Sequence, residues 1–456
     1  MTLTETVLAE IRNRIDENIL QVGDKLPSIR LAAKEFGVSK NTIVEAYDRL
    51  LAAGYVKARQ GYGFTVVDRY TPQSGEHLKH VAEAVDIASL LSAQLEETFS
   101  IRVGDGRPPP SWTEESEVRR HLGRGRKPGP GDEQGYGAAM GLPALRECLA
   151  IGIAETREVQ VGSDQILLTF GANHALDLVI RRFLVPGDTV LVDEPGYYPL
   201  FAKLKLAQVQ MVGVRRLPGG PDPEDLKAKA QAVRPKLFFT QSVAHNPTGG
   251  TTGLPTAHAL LTVAAQYGFM VVEDEPFIDL PTVRSAGLAA LDQFRSVISV
   301  GTFAKTLSAS LRCGYIAANA DIIGTLAELK MLTTVNSSGH VEQLVHGLIA
   351  EGHYRRHLKR LGRRIARATE SVVSNLERQG IPLFAEPTGG YYVYLDLPDH
   401  MDDIALARAG AREGIFIAPG SVFCVDRDRG RHGTRINIAR ADSPAFYDFL
   451  IRTLDR

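Results

Sequence analysis

Apolar residues open the chain at helical spacing. Val7, Leu8, Ile11, Ile15 and Ile19 recur every three or four positions, which predicts an amphipathic helix ending before Gly23. Pro27-Ser28 marks the entry to a second helix and Gly37-Val38 a tight turn. Ser39 then stands as N-cap of a third helix that buries Ile43, Ala46, Tyr47, Leu50 and Leu51 and leaves Lys40, Asn41, Thr42 and Arg49 to solvent. After Gly54 the residues from Tyr55 to Val66 alternate around a glycine-containing turn, the pattern of a two-stranded ribbon. Residues 68–98 read as a linker, in which Pro72, Gln73, Ser74 and Gly75 lead into an alanine-rich stretch with a helix expected around Ile87 to Leu95.

From residue 99 the period changes. Short apolar runs at 165–168, 189–192, 237–241, 270–273, 297–300 and 314–317 alternate with helical stretches, which predicts an α/β domain with a mostly parallel, helix-covered sheet. Polar residues follow several of these runs directly, where ligand sites form in open α/β sheets.

A length of 456 residues leaves room for two or three domains. No apolar run approaches the roughly 20 residues of a membrane helix and no charged-then-apolar leader follows Met1, so a cytoplasmic protein without a membrane partner is expected. Cys148, Cys313 and Cys424 are far apart and lack metal-ligand spacing, which argues for reduced thiols and against a disulfide frame or a metal site. The formal net charge of -1 conceals a local excess, because residues 26–67 carry six basic residues against three acidic ones. Such an excess suits a phosphate backbone.

Three short stretches give that N-terminal segment a family likeness: Leu26-Pro27-Ser28-x-Arg30, Gly37-Val38-Ser39-Lys40-x-Thr42 and Gly61-x-Gly63-Phe64. Residues 1–67 resemble the winged helix-turn-helix DNA-binding domain of GntR-type bacterial regulators. The resemblance implies a double-stranded DNA operator as partner, with Arg30, Ser39, Lys40, Asn41, Thr42, Arg49, Arg59 and Gly61 at the nucleic acid. Lys40 stands where the family more often has arginine, which keeps a phosphate contact but weakens two-point reading of guanine. Without the likeness, the same helices would equally fit a module that docks on protein.

In the second half, Thr302-Phe303-Ala304-Lys305-Thr306-Leu307-Ser308-Ala309-Ser310-Leu311-Arg312 resembles the cofactor-lysine segment of the aspartate aminotransferase family, fold type I. That likeness implies pyridoxal 5'-phosphate held as a Schiff base on Lys305, with Thr302 and Arg312 at its phosphate. Gly171-Ala172-Asn173 is similar to the family's phosphate-binding turn, Ala172 replacing the more usual serine or threonine. Tyr197 matches the aromatic that stacks on the pyridine ring, Asn246 of His245-Asn246-Pro247-Thr248-Gly249 the partner of its phenolic oxygen, and Asp274 the carboxylate that pairs with its protonated nitrogen. His245 reads as structural. Phe277 stands where most relatives carry a tyrosine that bonds the phenolic oxygen; its loss leaves binding intact and points to slow turnover. Arg435 of Thr434-Arg435-Ile436-Asn437, following Gly420-Ser421-Val422-Phe423, matches the arginine that grips a substrate's acidic group, and Gly389-Gly390 a turn of the small domain. Gly135-Tyr136 with Gly141 resembles the segment that sends Tyr136 to the phosphate of the opposite subunit, which implies a dimer.

Taken together, the chain resembles the MocR group of regulators: α/β, a winged helix-turn-helix at 1–67, a linker at 68–98, and a fold type I aminotransferase-like region at 99–456 with a large domain at about 136–325 and a small domain mainly at 326–456. The resemblance implies a domain-swapped homodimer whose effector, a small amino compound with a carboxylate or sulfonate, displaces Lys305 by aldimine exchange. An active aminotransferase carrying a DNA-binding module, or a sensor of the cofactor itself in vitamin B6 metabolism, remain open alternatives. One further cluster, Arg355, Arg356, Lys359, Arg360, Arg363 and Arg364 on a helix with Leu358, Leu361 and Ile365, reads as a solvated face, with a role near DNA phosphates as the other option.

Overall fold

A computed structural model describes residues 3–16, 19–52, 55–59, 63–67, 99–113, 118, 120, 137–283, 285, 287–398, 401–426 and 433–454. The chain divides into two compact units, residues 1–77 and 78–456. The linker, its expected helix, Gly61 and Tyr136 lie outside the described residues.

In the first unit α1 (Leu3–Asp16), α2 (Ile29–Glu35) and α3 (Lys40–Ala52) precede a ribbon of β1 (Val56–Arg59) and β2 (Gly63–Val66). Two serines set the helix starts: Ser28 Oγ accepts from Leu31 N at 3.3 Å and Ser39 Oγ from Thr42 N at 3.1 Å. Val7, Ile11, Leu26, Ile43, Ala46, Tyr47 and Leu50 form the core with Val56 and Val66. Tyr47 also donates from its hydroxyl to Pro27 O at 2.9 Å, which fixes α3 against the turn before α2. Two expected core residues fall outside it. Ile19 lies beyond α1 and is exposed, and Leu51 is 39% exposed because the buried stripe ends at the 43, 46, 47, 50 spacing.

The second unit is built on an eight-stranded sheet, in the order β3 (Ile166–Thr169), β10 (Gly314–Ala317), β9 (Val297–Thr302), β8 (Met270–Asp274), β7 (Leu237–Thr240), β4 (Thr189–Glu194), β5 (Gln210–Leu217), β6 (Gly220–Pro221). Pairing is parallel from β9 through β8, β7 and β4 to β5, and antiparallel at β10 and β6. Both faces are covered, and the alternation of side chains shows it. Leu191, Phe238, Val271 and Val297 enter one core cluster, while their neighbours Val190, Val192, Leu237, Phe239, Val272 and Ile298 enter the other. This is the α/β architecture expected, with all six anticipated strands present and β5 and β6 in addition.

A smaller antiparallel sheet, β11 (Tyr392–Asp396), β13 (Gly433–Asn437) and β12 (Ala418–Pro419), packs under the helices His353–Arg378 and Pro444–Leu454. The segment 101–104 joins it, with Gly104 N donating to Phe416 O at 2.8 Å and Val103 O accepting from Asn437 N at 2.7 Å. The small domain therefore borrows chain from before the large sheet. Its share also begins later than position 326: Leu326 and Ala327 lie in one core cluster of the large sheet and Val345 and Leu348 in the other.

Candidate cofactor and effector site

The carboxyl ends of β4, β7, β8 and β9 and the small sheet surround a cavity of about 580 Å³. Its lining includes Ala172, Asn173, Tyr197, Asn246, Asp274, Thr302, Lys305, Arg312 and Arg435, so nine of the anticipated positions converge from chain segments far apart in sequence.

Lys305 sits in the turn after β9 and donates from Nζ to the carbonyl of Gly106. The same carbonyl accepts from the Tyr392 hydroxyl at 2.8 Å, and Tyr391 donates to Lys305 O at 2.8 Å. The lysine is thus held at both ends of its residue.

Asp274 closes β8 and is 7% exposed. Its Oδ2 accepts from Gln241 Nε2 at 2.6 Å, whereas Oδ1 is buried without a hydrogen-bond partner. Burial pushes the carboxyl up to about 6, against the bond from Gln241 and the nearby Lys305 cation, which pull it down. An orphaned carboxylate oxygen on the wall of a cavity suits a protonated ring nitrogen. Gln241 ties the site together, because its Oε1 also accepts from Asn246 N at 2.9 Å.

At the phosphate end, Gly171 adopts φ +82° and opens the helix Ala172–Phe183, whose first N–H groups and positive dipole end favour an anion. Arg312 is exposed and donates to Phe170 O at 2.9 Å from beside this turn. Thr302 Oγ1 accepts from Ala304 N at 3.2 Å and lines the same end. His174 Nδ1 accepts from Phe170 N at 3.2 Å, and burial together with the Lys330 cation lowers its imidazole to about 4, so it is neutral.

Arg435, on β13, is 1% exposed. It donates to Asn246 Oδ1 at 2.8 Å and to Gly104 O at 2.7 Å, and its guanidinium lies 5.0 Å from each of the Tyr392 and Phe423 ring centroids. Its Nε has no partner, and no carboxylate pairs with it among the described residues. A buried cation held by neutral groups alone is a ready acceptor site for an anion.

Tyr197 is half-buried, and burial with the Asp274 charge raises its phenol far above the ordinary value, so its ring is presented uncharged. His245 lies beneath the site, its Nδ1 2.9 Å from Thr248 Oγ1 and its Nε2 3.4 Å from Asp193 Oδ2. Burial and Arg216 lower it to about 4, in keeping with a structural residue. Phe277 is fully buried and set back from the lining, packed edge-on against Tyr391 and Tyr392 at 5.3 and 5.6 Å. The residues that sequence reasoning missed are Gly106, Arg107, Gln241 and Tyr392. Gln241 stands just past the end of β7, where the strand-end rule points, and Tyr392 lies two residues after the marked Gly389-Gly390 turn.

In the first unit Arg30, Lys40 and Asn41 are exposed and Thr42 is half-buried. The hydroxyls of Ser39 and Thr42 lie 2.8 Å apart, and Arg49 forms an ion pair with Glu45. For Arg59 only the backbone is described, pairing with Gly63.

The residues present fit pyridoxal 5'-phosphate: an amine, an orphaned carboxylate oxygen and an anion-favouring helix start share one cavity. Residues 106–445 match the family model for aminotransferase class I and II, and residues 3–66 that for bacterial regulatory proteins of the gntR family. The HTH-type transcriptional regulator YdcR of Escherichia coli (strain K12) is 26% identical over 92% of this chain and 92% of its own. The probable rhizopine catabolism regulatory protein MocR of Rhizobium meliloti is 27% identical over 90% of this chain and 85% of its own. Among solved structures, LysN, an alpha-aminoadipate aminotransferase from Thermus thermophilus complexed with N-(5'-phosphopyridoxyl)-L-leucine, is 25% identical with a TM-score of 0.72, covering 83% of this chain and 97% of that one. No helix among the described residues is long and apolar enough to cross a membrane. With a gntR-family unit ahead of an aminotransferase-like region, an arrangement similar to that of MocR-type regulators, the chain belongs to the aminotransferase class I and II family.

Proposed function

We propose that the protein is a cytoplasmic, homodimeric transcription regulator that binds operator DNA through residues 1–67 and senses a small amino compound at Lys305. The observation that carries this reading is one cavity presenting an amine, an orphaned buried carboxylate oxygen at Asp274 and a buried, uncompensated guanidinium at Arg435. Pyridoxal phosphate, when bound, supplies the aldehyde carbon that a lysine amine or an effector amine holds covalently. Asp274 keeps a proton on the ring nitrogen, and Asn173, Thr302, Arg312 and the helix start hold the phosphate. Lys305 would hold the aldehyde carbon in the absence of effector and, with an effector's amine in its place, would stand beside it as proton acceptor. Arg435 grips the effector's carboxylate or sulfonate, which replaces water at a cation that protein groups leave uncompensated.

Phe277 supports sensing over turnover, since no hydroxyl at this position reaches the ring to tune proton transfer. An effector moves an equilibrium only by its differential affinity for two states, typically about 1–3 kcal/mol in such couplings. The test is an absorption titration of the protein loaded with pyridoxal phosphate against a panel of amino compounds, with binding of a labelled upstream DNA fragment followed in parallel. A compound that changes both the spectrum and DNA affinity without accumulating oxo acid supports the reading. Catalytic oxo acid with unchanged DNA affinity makes the protein an aminotransferase.

A further inference from the structure

The helix His353–Arg378 carries Arg355, Arg356, Lys359, Arg360, Arg363 and Arg364, all exposed, and Arg367 continues the series one turn later. No aspartate or glutamate stands between Glu351 and Glu370. Among the described residues none of these cations is in an ion pair with a carboxylate; Arg364 donates to the carbonyl of Ser111 and Arg356 contacts the His353 ring. The helix cannot roll to hide the stripe, because Leu361, Ile365, Val372 and Leu376 on its other side are built into the small-sheet core. Like charges at i, i+4 repel and weaken a helix. A chain of net charge -1 has no general surplus of cations to scatter, so their concentration on one face asks for a polyanion.

We propose that this stripe is a second DNA-binding surface, contacting the phosphates of duplex flanking the sequence that the winged helix reads. The inference rests on the DNA-binding reading above. From Arg355 to Arg367 the helix rises about 18 Å, which spans roughly five phosphates of one strand at about 3.4 Å each. The segment 68–98 is long enough to let both units reach one duplex of a few turns. Guanidinium groups, six of the seven cations, suit phosphate oxygens better than ammonium groups do. The contact is to backbone alone and carries no base preference.

The test uses the full-length dimer loaded with pyridoxal phosphate and a 60-base-pair mixed-sequence duplex, with affinity followed against salt by fluorescence anisotropy. Arg355→Gln/Arg360→Gln/Arg363→Gln should lower the slope of log K against log salt by about 2.7, which from a 1 M reference is roughly 500-fold in affinity at 0.1 M salt. The matched triple Lys227→Gln/Arg408→Gln/Arg412→Gln, three exposed cations elsewhere, should leave the slope unchanged, as should the charge-preserving arginine-to-lysine version of the stripe variant. If the stripe variant keeps the wild-type slope while Arg30→Ala/Lys40→Ala lowers it, the stripe is a solvated face and the proposal fails alone. If neither variant changes the slope, the DNA-binding reading fails with it. A change in sedimentation of the stripe variant would assign the face to subunit contact and equally overturn the proposal.

Discussion

Asp274 shows what a single residue gives up for a site. Its folded carboxyl titrates near 6 against an ordinary 3.8, so the folded state holds the proton more tightly than the unfolded chain does. Stability from this group is full below about pH 4 and is lost as pH rises to about 6, a penalty of about 3 kcal/mol that persists at neutral pH. In cofactor-free protein Asp274→Asn should therefore raise stability by about 1–3 kcal/mol at pH 7.5 and by little at pH 4, while weakening pyridoxal phosphate binding at least tenfold. Denaturant titrations at the two pH values check this; an equal gain at both would place the penalty elsewhere. Lys305→Ala should abolish the cofactor's absorption band of the lysine-bound form and every effector response, yet leave DNA binding intact. A retained effector response in that variant would refute covalent sensing. The lysine, Asp274, Asn246 and Arg435 were legible in sequence because each role admits only one or two residue types. Gly106 was not, since a backbone carbonyl can come from any residue and leaves no mark on composition.

Among elements, the strands that form the middle of the large sheet were legible because burial on both faces demands an unbroken apolar run, as in Leu-Phe-Phe-Thr of β7. β5 escaped notice for the opposite reason. Gln210–Leu217 lies toward the sheet edge, is exposed at three of its eight positions, and contains Gly213 and two arginines. Helix starts depend on small polar contacts, and these are testable. Ser39→Ala removes the acceptor for Thr42 N and should destabilise the start of α3 by about 0.5–2 kcal/mol. Amide exchange in the first turn of α3 in the full-length protein should accelerate severalfold, with the large sheet unaffected; unchanged exchange would mean that the neighbouring Thr42 hydroxyl or water replaces the cap.

At the scale of the molecule, the proposed function couples binding at the cavity to binding at DNA, and any such linkage must be reciprocal. If an effector changes DNA affinity by a given factor, operator DNA must change effector affinity by the same factor. Equilibrium titrations in both directions test this, and unequal factors would show that the response is kinetic. The Gly106 carbonyl, which accepts from both Lys305 and Tyr392, lies only a few residues past the linker. The segment after the linker is thus moored, at Gly106, to the amine that an effector would displace under the proposed function. A chemical event at Lys305 would slacken that mooring, and residues 99–107, which lead back into the segment 68–98, would be the first to feel it. Amides of residues 99–107 should lose exchange protection when an effector binds, and steady protection there alongside a change in DNA affinity would send the signal by another path.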